Sequence, residues 1–282
     1  MLNRLSIRGD DMKSKGKTIK LTPVSTLHYI RLVYRSALFI ALIILYIKHI
    51  VYGGEDVQQY LESRPLIIMT IWTVFTVEMI IRFFPSKLES PGCQKQFARN
   101  YIRTGNVNID IQDNNGVMLA ALIWIMFNGI FGALHMMGIL DDGIMLILCC
   151  AYSVCDLICI LFFCPFQSWI LKNKCCSTCR IYNWDYAMMF TPLFFVRRTY
   201  TWSLLVMSVI LMLRWEITFF RYPERFAEST NGYLGCANCT EKLCTHKNQL
   251  RRLWVHISEY TDARIRKLKG NPADNDTGHE SL

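Results

Sequence analysis

The chain has 282 residues, of which 52% are hydrophobic and only 19% charged, with a formal net charge of +9 and a mean hydropathy of +0.22. Soluble domains carry roughly 25% charged residues, and here the apolar residues are gathered into runs that the polar remainder cannot cover. The composition therefore excludes an ordinary soluble domain. It predicts an all-α, polytopic transmembrane helical bundle with five clear spans and one short span or re-entrant segment.

A basic stretch, 1–35, comes first, with Arg4, Arg8, Lys13, Lys15, Lys17, Lys20, Arg31 and Arg35. Basic residues resist translocation, so this reads as a cytoplasmic N-terminal tail. No small-residue cleavage site follows the first apolar run, 36–52, which is expected to stay as an anchor. The acidic connection 53–64, with Glu55, Asp56 and Glu62, reads as external.

The second span, 65–84, holds Glu78 and Arg82 four residues apart, a spacing at which the two can neutralise each other. Lys87, Lys95, Arg99 and Arg103 bring the next connection back to the cytoplasm. The third span, 116–140, carries Asn128 and His135 seven apart on one helix face. Asp141-Asp142-Gly143 forms a tight external turn into the fourth span, 144–163.

That fourth span contains Cys149, Cys150, Cys155 and Cys159, which read as small polarizable packing residues. It also contains Asp156, with no base nearby in sequence. A carboxylate at the bilayer centre costs about 2.5–3.5 kcal/mol on insertion scales, so Asp156 needs a partner from another helix or must stay protonated. His135 and Asn128 on the third span and Arg214 on the last are the candidates.

The short run 184–196 precedes the last long span, 200–220, where Arg214 and Glu216 are two apart and point different ways. If the short run crosses, there are six spans and both termini are cytoplasmic. Against this stand Pro192 within the run and Arg197 and Arg198 at its outer edge. If it does not cross, the many bases of the tail 221–282 are displaced to the outside, a larger violation. The net charge is accounted for by topology and anionic lipid at the cytoplasmic face, without nucleic acid.

Two polar cysteine groups complete the pattern: Cys175, Cys176 and Cys179 form C-C-x-x-C, and Cys236, Cys239, Cys244 and His246 form C-x-x-C-x4-C-x-H. Two thiols spaced by two residues can turn toward one ion, the arrangement of structural zinc sites. Cys176, Cys179, Cys236 and Cys239 are the leading ligand set, with Cys244 and His246 as substitutes. Zinc is preferred, an iron–sulfur cluster is the next candidate, and reactive dithiols or disulfides follow. The runs 163–167 (FCPFQ), 173–185 (NKCCSTCRIYNWD), 221–226 (RYPERF) and 236–244 (CANCTEKLC) resemble those of a family of uncharacterised bacterial polytopic membrane proteins with paired cysteine motifs. The resemblance implies a bacterial plasma membrane and a reducing cytoplasm, and brings no activity with it.

No Walker loop, G-x-S-x-G, H-E-x-x-H or dinucleotide fingerprint occurs in the chain. Two functions stay open: a cytoplasmic thiolate metal site in a structural or metal- or redox-sensing role, and a small transporter or proton relay using Asp156, Arg214 and His135.

Overall fold

The computed structural model describes residues 22–85, 91–106, 108–109, 114–171 and 179–235, and these belong to one compact unit. Among the described residues there are helices and turns but no strand, apart from an isolated bridge between Arg103 and Asn231. Among the described residues four helices are long and apolar enough to cross a membrane: α1 (Pro23–Tyr52), α5 (Asn114–Met136), α6 (Asp142–Leu161) and α8 (Thr199–Arg221). α3 (Pro65–Ile81) is apolar but has 17 residues, about 26 Å at 1.5 Å per residue. Shorter helices, α2 (Val57–Glu62), α4 (Pro91–Gln96) and α7 (Asp185–Phe190), join them.

Local chemistry sets the ends of these helices. Thr22 caps α1, its hydroxyl accepting the Ser25 amide at 3.2 Å, with Pro23 in the first turn where no amide hydrogen is required. Gly53, at φ +63°, closes the same helix in a left-handed conformation that other residues resist. The Asp141 carboxylate accepts the Ile144 amide at 2.8 Å and starts α6, as the Asp-Asp-Gly turn predicts.

α1 lies along α6, and α8 packs on α3 and α7. α8 shows how such a helix is shared between protein and lipid. Leu204, Leu211, Trp215 and Phe219 are buried, whereas Val206, Ile210, Leu213 and Ile217 face outward. Apolar residues on all sides of a helix belong in lipid, and in water this outer face would drive aggregation.

The helices alternate in direction, so the bundle has an N-terminal end, where α1 begins, and an opposite end. At the opposite end the Tyr46 hydroxyl donates to Asp141 at 3.1 Å, and Arg198 pairs with Glu62 at 3.0 Å. At the N-terminal end the connection after α3 is stitched to the chain after α8. Gly232 donates its amide to the Ile102 carbonyl at 2.8 Å, and Asn231 donates to the Lys95 carbonyl at 3.0 Å.

The run 184–196, expected to be a short span, is preceded by a 3-10 stretch from Arg180, and together they lead from one end to the other. They start where Asn183 donates to Gln96 and Arg180 pairs with Glu216, and they end beside the Arg198–Glu62 pair. Five residues of 3-10 helix (Arg180–Trp184), six of α7 and four more of 3-10 helix (Thr191–Phe194) give a contour length of about 27 Å, because 3-10 geometry rises about 2.0 Å per residue. Pro192 opens the second 3-10 stretch, where the missing amide hydrogen costs nothing.

The structure corrects one boundary. α1 begins at Pro23, so the division at residue 36 falls inside a 30-residue helix about 45 Å long. Arg31 and Arg35, read above as part of a cytoplasmic tail, are buried in the bundle.

Candidate functional site

α1 presents His28, Arg31 and Arg35 along one buried face, spaced three and four residues apart. α3 brings Glu78 against them. Arg31 Nε lies 3.0 Å from Glu78 Oε1 and Arg35 Nη2 lies 2.7 Å from Oε2. Tyr34 and Tyr186 donate their hydroxyls to the same carboxylate at 2.6 and 2.8 Å. The other branch of Arg35 bonds the Ser153 carbonyl at 3.2 Å and stands 3.5 Å from Asp156 Oδ2 on α6.

Arg82, one turn beyond Glu78, reaches Asp185 at the start of α7 with 2.5 Å between charged atoms, and its guanidinium lies 4.5 Å from the centre of the Tyr186 ring. Three guanidinium groups thus face three carboxylates from four elements. Charges in a low-dielectric interior persist only when they are paired, and each of these six has an opposite charge within 3.5 Å. The expected mutual neutralisation of Glu78 and Arg82 is therefore corrected: the two acquire partners from different helices, because each side chain turns inward toward the nearest opposite charge.

Asp156 and Asp185 also form part of the wall of a cavity of about 130 Å³ between α5, α6 and α7. Cys155, Cys159, Cys164 and Cys179 share that wall, together with Trp124, Tyr152 and Tyr182. Among the six clustered charged residues Asp156 is the least enclosed, its side chain 20% exposed against 9% or less for the others.

The partners expected for Asp156 lie elsewhere. His135 sits at the opposite end, bonded to the Leu140 carbonyl at 3.0 Å and 3.4 Å from Asp142. Arg214 bonds the Phe83 carbonyl and lies among the rings of Phe83, Phe97 and Trp215. The relay set Asp156, Arg214 and His135 is thus divided among separate contacts, and Arg35 takes the role assigned to Arg214. Asn128 does face α6, where Tyr152 donates to it at 3.3 Å. Glu216 turns away from Arg214 to Arg180 and Trp184, as their two-residue spacing predicts.

Of the proposed metal ligands only Cys179 is described, buried beside Val117, Leu157 and Ile181. Cys176, Cys236, Cys239, Cys244 and His246 lie outside the described residues. Among the described residues no three His, Cys, Asp or Glu side chains come together in a way that would hold a metal ion.

Sequence reading missed Arg31, Arg35, Asp185 and Tyr186. A signal existed for the first two: the buried face of α1 continues from His28, Arg31 and Arg35 into Leu42 and Leu45 at the same helical spacing. Nothing local marks Asp185, whose partner is more than a hundred residues away in sequence.

Fold and site together define an all-helical bundle with apolar helices long enough to cross a membrane and a buried, charge-balanced centre. The chain matches no protein-family model, no curated protein and no solved structure.

Proposed function

We propose that this is a six-crossing membrane protein working as a small proton or cation relay centred on Asp156, with the N-terminal end of its bundle in the cytoplasm. The orientation is supported by Lys95, Arg99, Arg103, Arg221 and Arg225 at that end, which outnumber Arg64, Arg197 and Arg198 at the other. Residues 180–196 supply the sixth crossing. A bacterial plasma membrane is inferred from the resemblance in the sequence runs given above, and anionic lipid is the expected companion of the basic face.

One observation carries the relay reading. Asp156 lines a cavity while sharing its arginine, Arg35, with a second carboxylate that holds it more closely. A proton or cation arriving at Asp156 replaces Arg35 there, and Arg35 keeps Glu78, so no buried charge is stranded. Neutralising Asp156 as Asp156→Asn should abolish proton or cation flux in liposomes and leave expression and membrane insertion intact. Wild-type protein with flux no greater than empty liposomes, or a variant with undiminished flux, would refute the reading. Loss of insertion would mark Asp156 as a purely structural link between helices.

A second reading is favoured by a separate observation. Cys179 and Gly235, the residue preceding Cys236, both belong to segments at the N-terminal end of the bundle. A thiolate metal site drawn from Cys176, Cys179, Cys236 and Cys239, with Cys244 and His246 as substitutes, would need both groups on one face. Its role would be structural or metal- or redox-sensing, with zinc ahead of an iron–sulfur cluster, and metal analysis of purified protein tests it.

A further inference from the structure

A second recess runs along the flank of the bundle, sharing Trp124, Ile181 and Met188 with the wall of the Asp156 cavity. It is an apolar groove of about 460 Å³ between α5, the segment 180–196 and α8. α8 contributes Leu205, Val209 and Met212, ending at Glu216, positions that follow one helix face over about 16 Å. Ala121 and Ala187 leave room between the three elements.

The polar atoms along the groove are satisfied within the protein. The Trp124 indole donates to the Thr191 hydroxyl at 3.2 Å, and Glu216 is held by Arg180 and by the Trp184 indole at 2.6 Å. The groove therefore offers a water-soluble ligand no free polar group, and it is flanked by outward-facing residues such as Met126 and Ile210. Against a flank of this kind the surrounding solvent is acyl chain, and an apolar hollow left empty forfeits contacts on every wall.

The groove's end nearer Glu62 adds a charge. There Phe194 stacks on Trp202 with ring centres 5.6 Å apart, an aromatic pair of the kind found where membrane meets water. Three residues beyond Phe194, Arg197 is exposed and has no carboxylate partner among the described residues, whereas its neighbour Arg198 is held by Glu62. A guanidinium matches the geometry and charge of a phosphate.

We propose that this groove is a phospholipid site, with an acyl chain lying between α5 and α8 and the phosphate of the same lipid on Arg197 at the Glu62 end. The proposal rests on membrane embedding alone and is independent of the Asp156 relay.

Native mass spectrometry of protein extracted in mild detergent reads out the bound phospholipid. Two substitutions fill the groove from different walls, Ala187→Leu and Val209→Phe, so that failure of one to fold leaves the other. Each is expected to lower retained phospholipid by about tenfold, and Arg197→Gln to weaken retention by a smaller factor, with helix content unchanged. Wild-type protein free of phospholipid, or filled variants that retain it undiminished, would overturn the proposal. So would efficient cross-linking of Val209→Cys to a second copy in intact membranes, since that would make the groove a protein interface.

Discussion

Glu78 holds two arginines and two tyrosines at once, and that crowding explains why a carboxylate is tolerated inside an apolar bundle. The neighbouring pair, Arg82 and Asp185, is simpler and suits measurement, because its side chains are 4% and 6% exposed. Removing one member leaves the other charge buried with lost partners, which typically costs about 3–5 kcal/mol. Arg82→Met should therefore lower stability in detergent by about that amount, whereas Arg82→Met combined with Asp185→Asn should recover part of the loss. A double variant no better than the single one in a denaturation series would show that the pair is not coupled. Glu78, Arg82 and Asp156 were evident as buried charges from hydropathy alone. Their partners were not, because side chains that meet across helices leave no mark in local spacing, and the stripe of Arg31 and Arg35 was hidden by the tail-like abundance of bases before it.

The segment Arg180–Phe194 crosses the bundle without being one continuous α-helix, and its docking depends on a close approach to α5. A Cβ on Gly132 would stand 2.0 Å from the Phe195 ring, so any larger residue here forces that ring to move. Gly132→Ala should destabilise the bundle by about 1–3 kcal/mol through overpacking. Adding Phe195→Ala should relieve the clash and restore most of the thermal midpoint. If Gly132→Ala is neutral, Phe195 does not lie on α5 as described. The element boundaries that could be read in advance were those with caps, such as Asp141 before α6. The start of α1 was displaced by a dozen residues, since Thr22-Pro23 is a brief start signal set in a basic stretch that hydropathy excludes.

At the level of the whole bundle, the connection after α3 and the chain after α8 form one surface, joined by Thr104, Ser229, Thr230 and Asn231. A cysteine at Thr104 and another at Ser229 should each be labelled from the same side of the membrane by an impermeant thiol reagent, in a chain whose native thiols are first blocked. A cysteine at Glu62 should be labelled from the other side. Thr104→Cys and Ser229→Cys reacting from opposite sides would dismantle the six-crossing arrangement and with it the common face that a metal clamp between loop and tail requires.

The membrane class, the long helices and the presence of costly charges within them followed from composition and periodicity, because transfer of apolar surface and the bilayer's thickness act on each stretch of chain separately. Which charges meet, and that residues 180–196 pass from end to end, came only from the folded bundle. Pairing energy depends on distance between groups far apart in the chain, and a segment mixing 3-10 and α-helix gains its reach from backbone geometry that hydrophobic pattern does not encode.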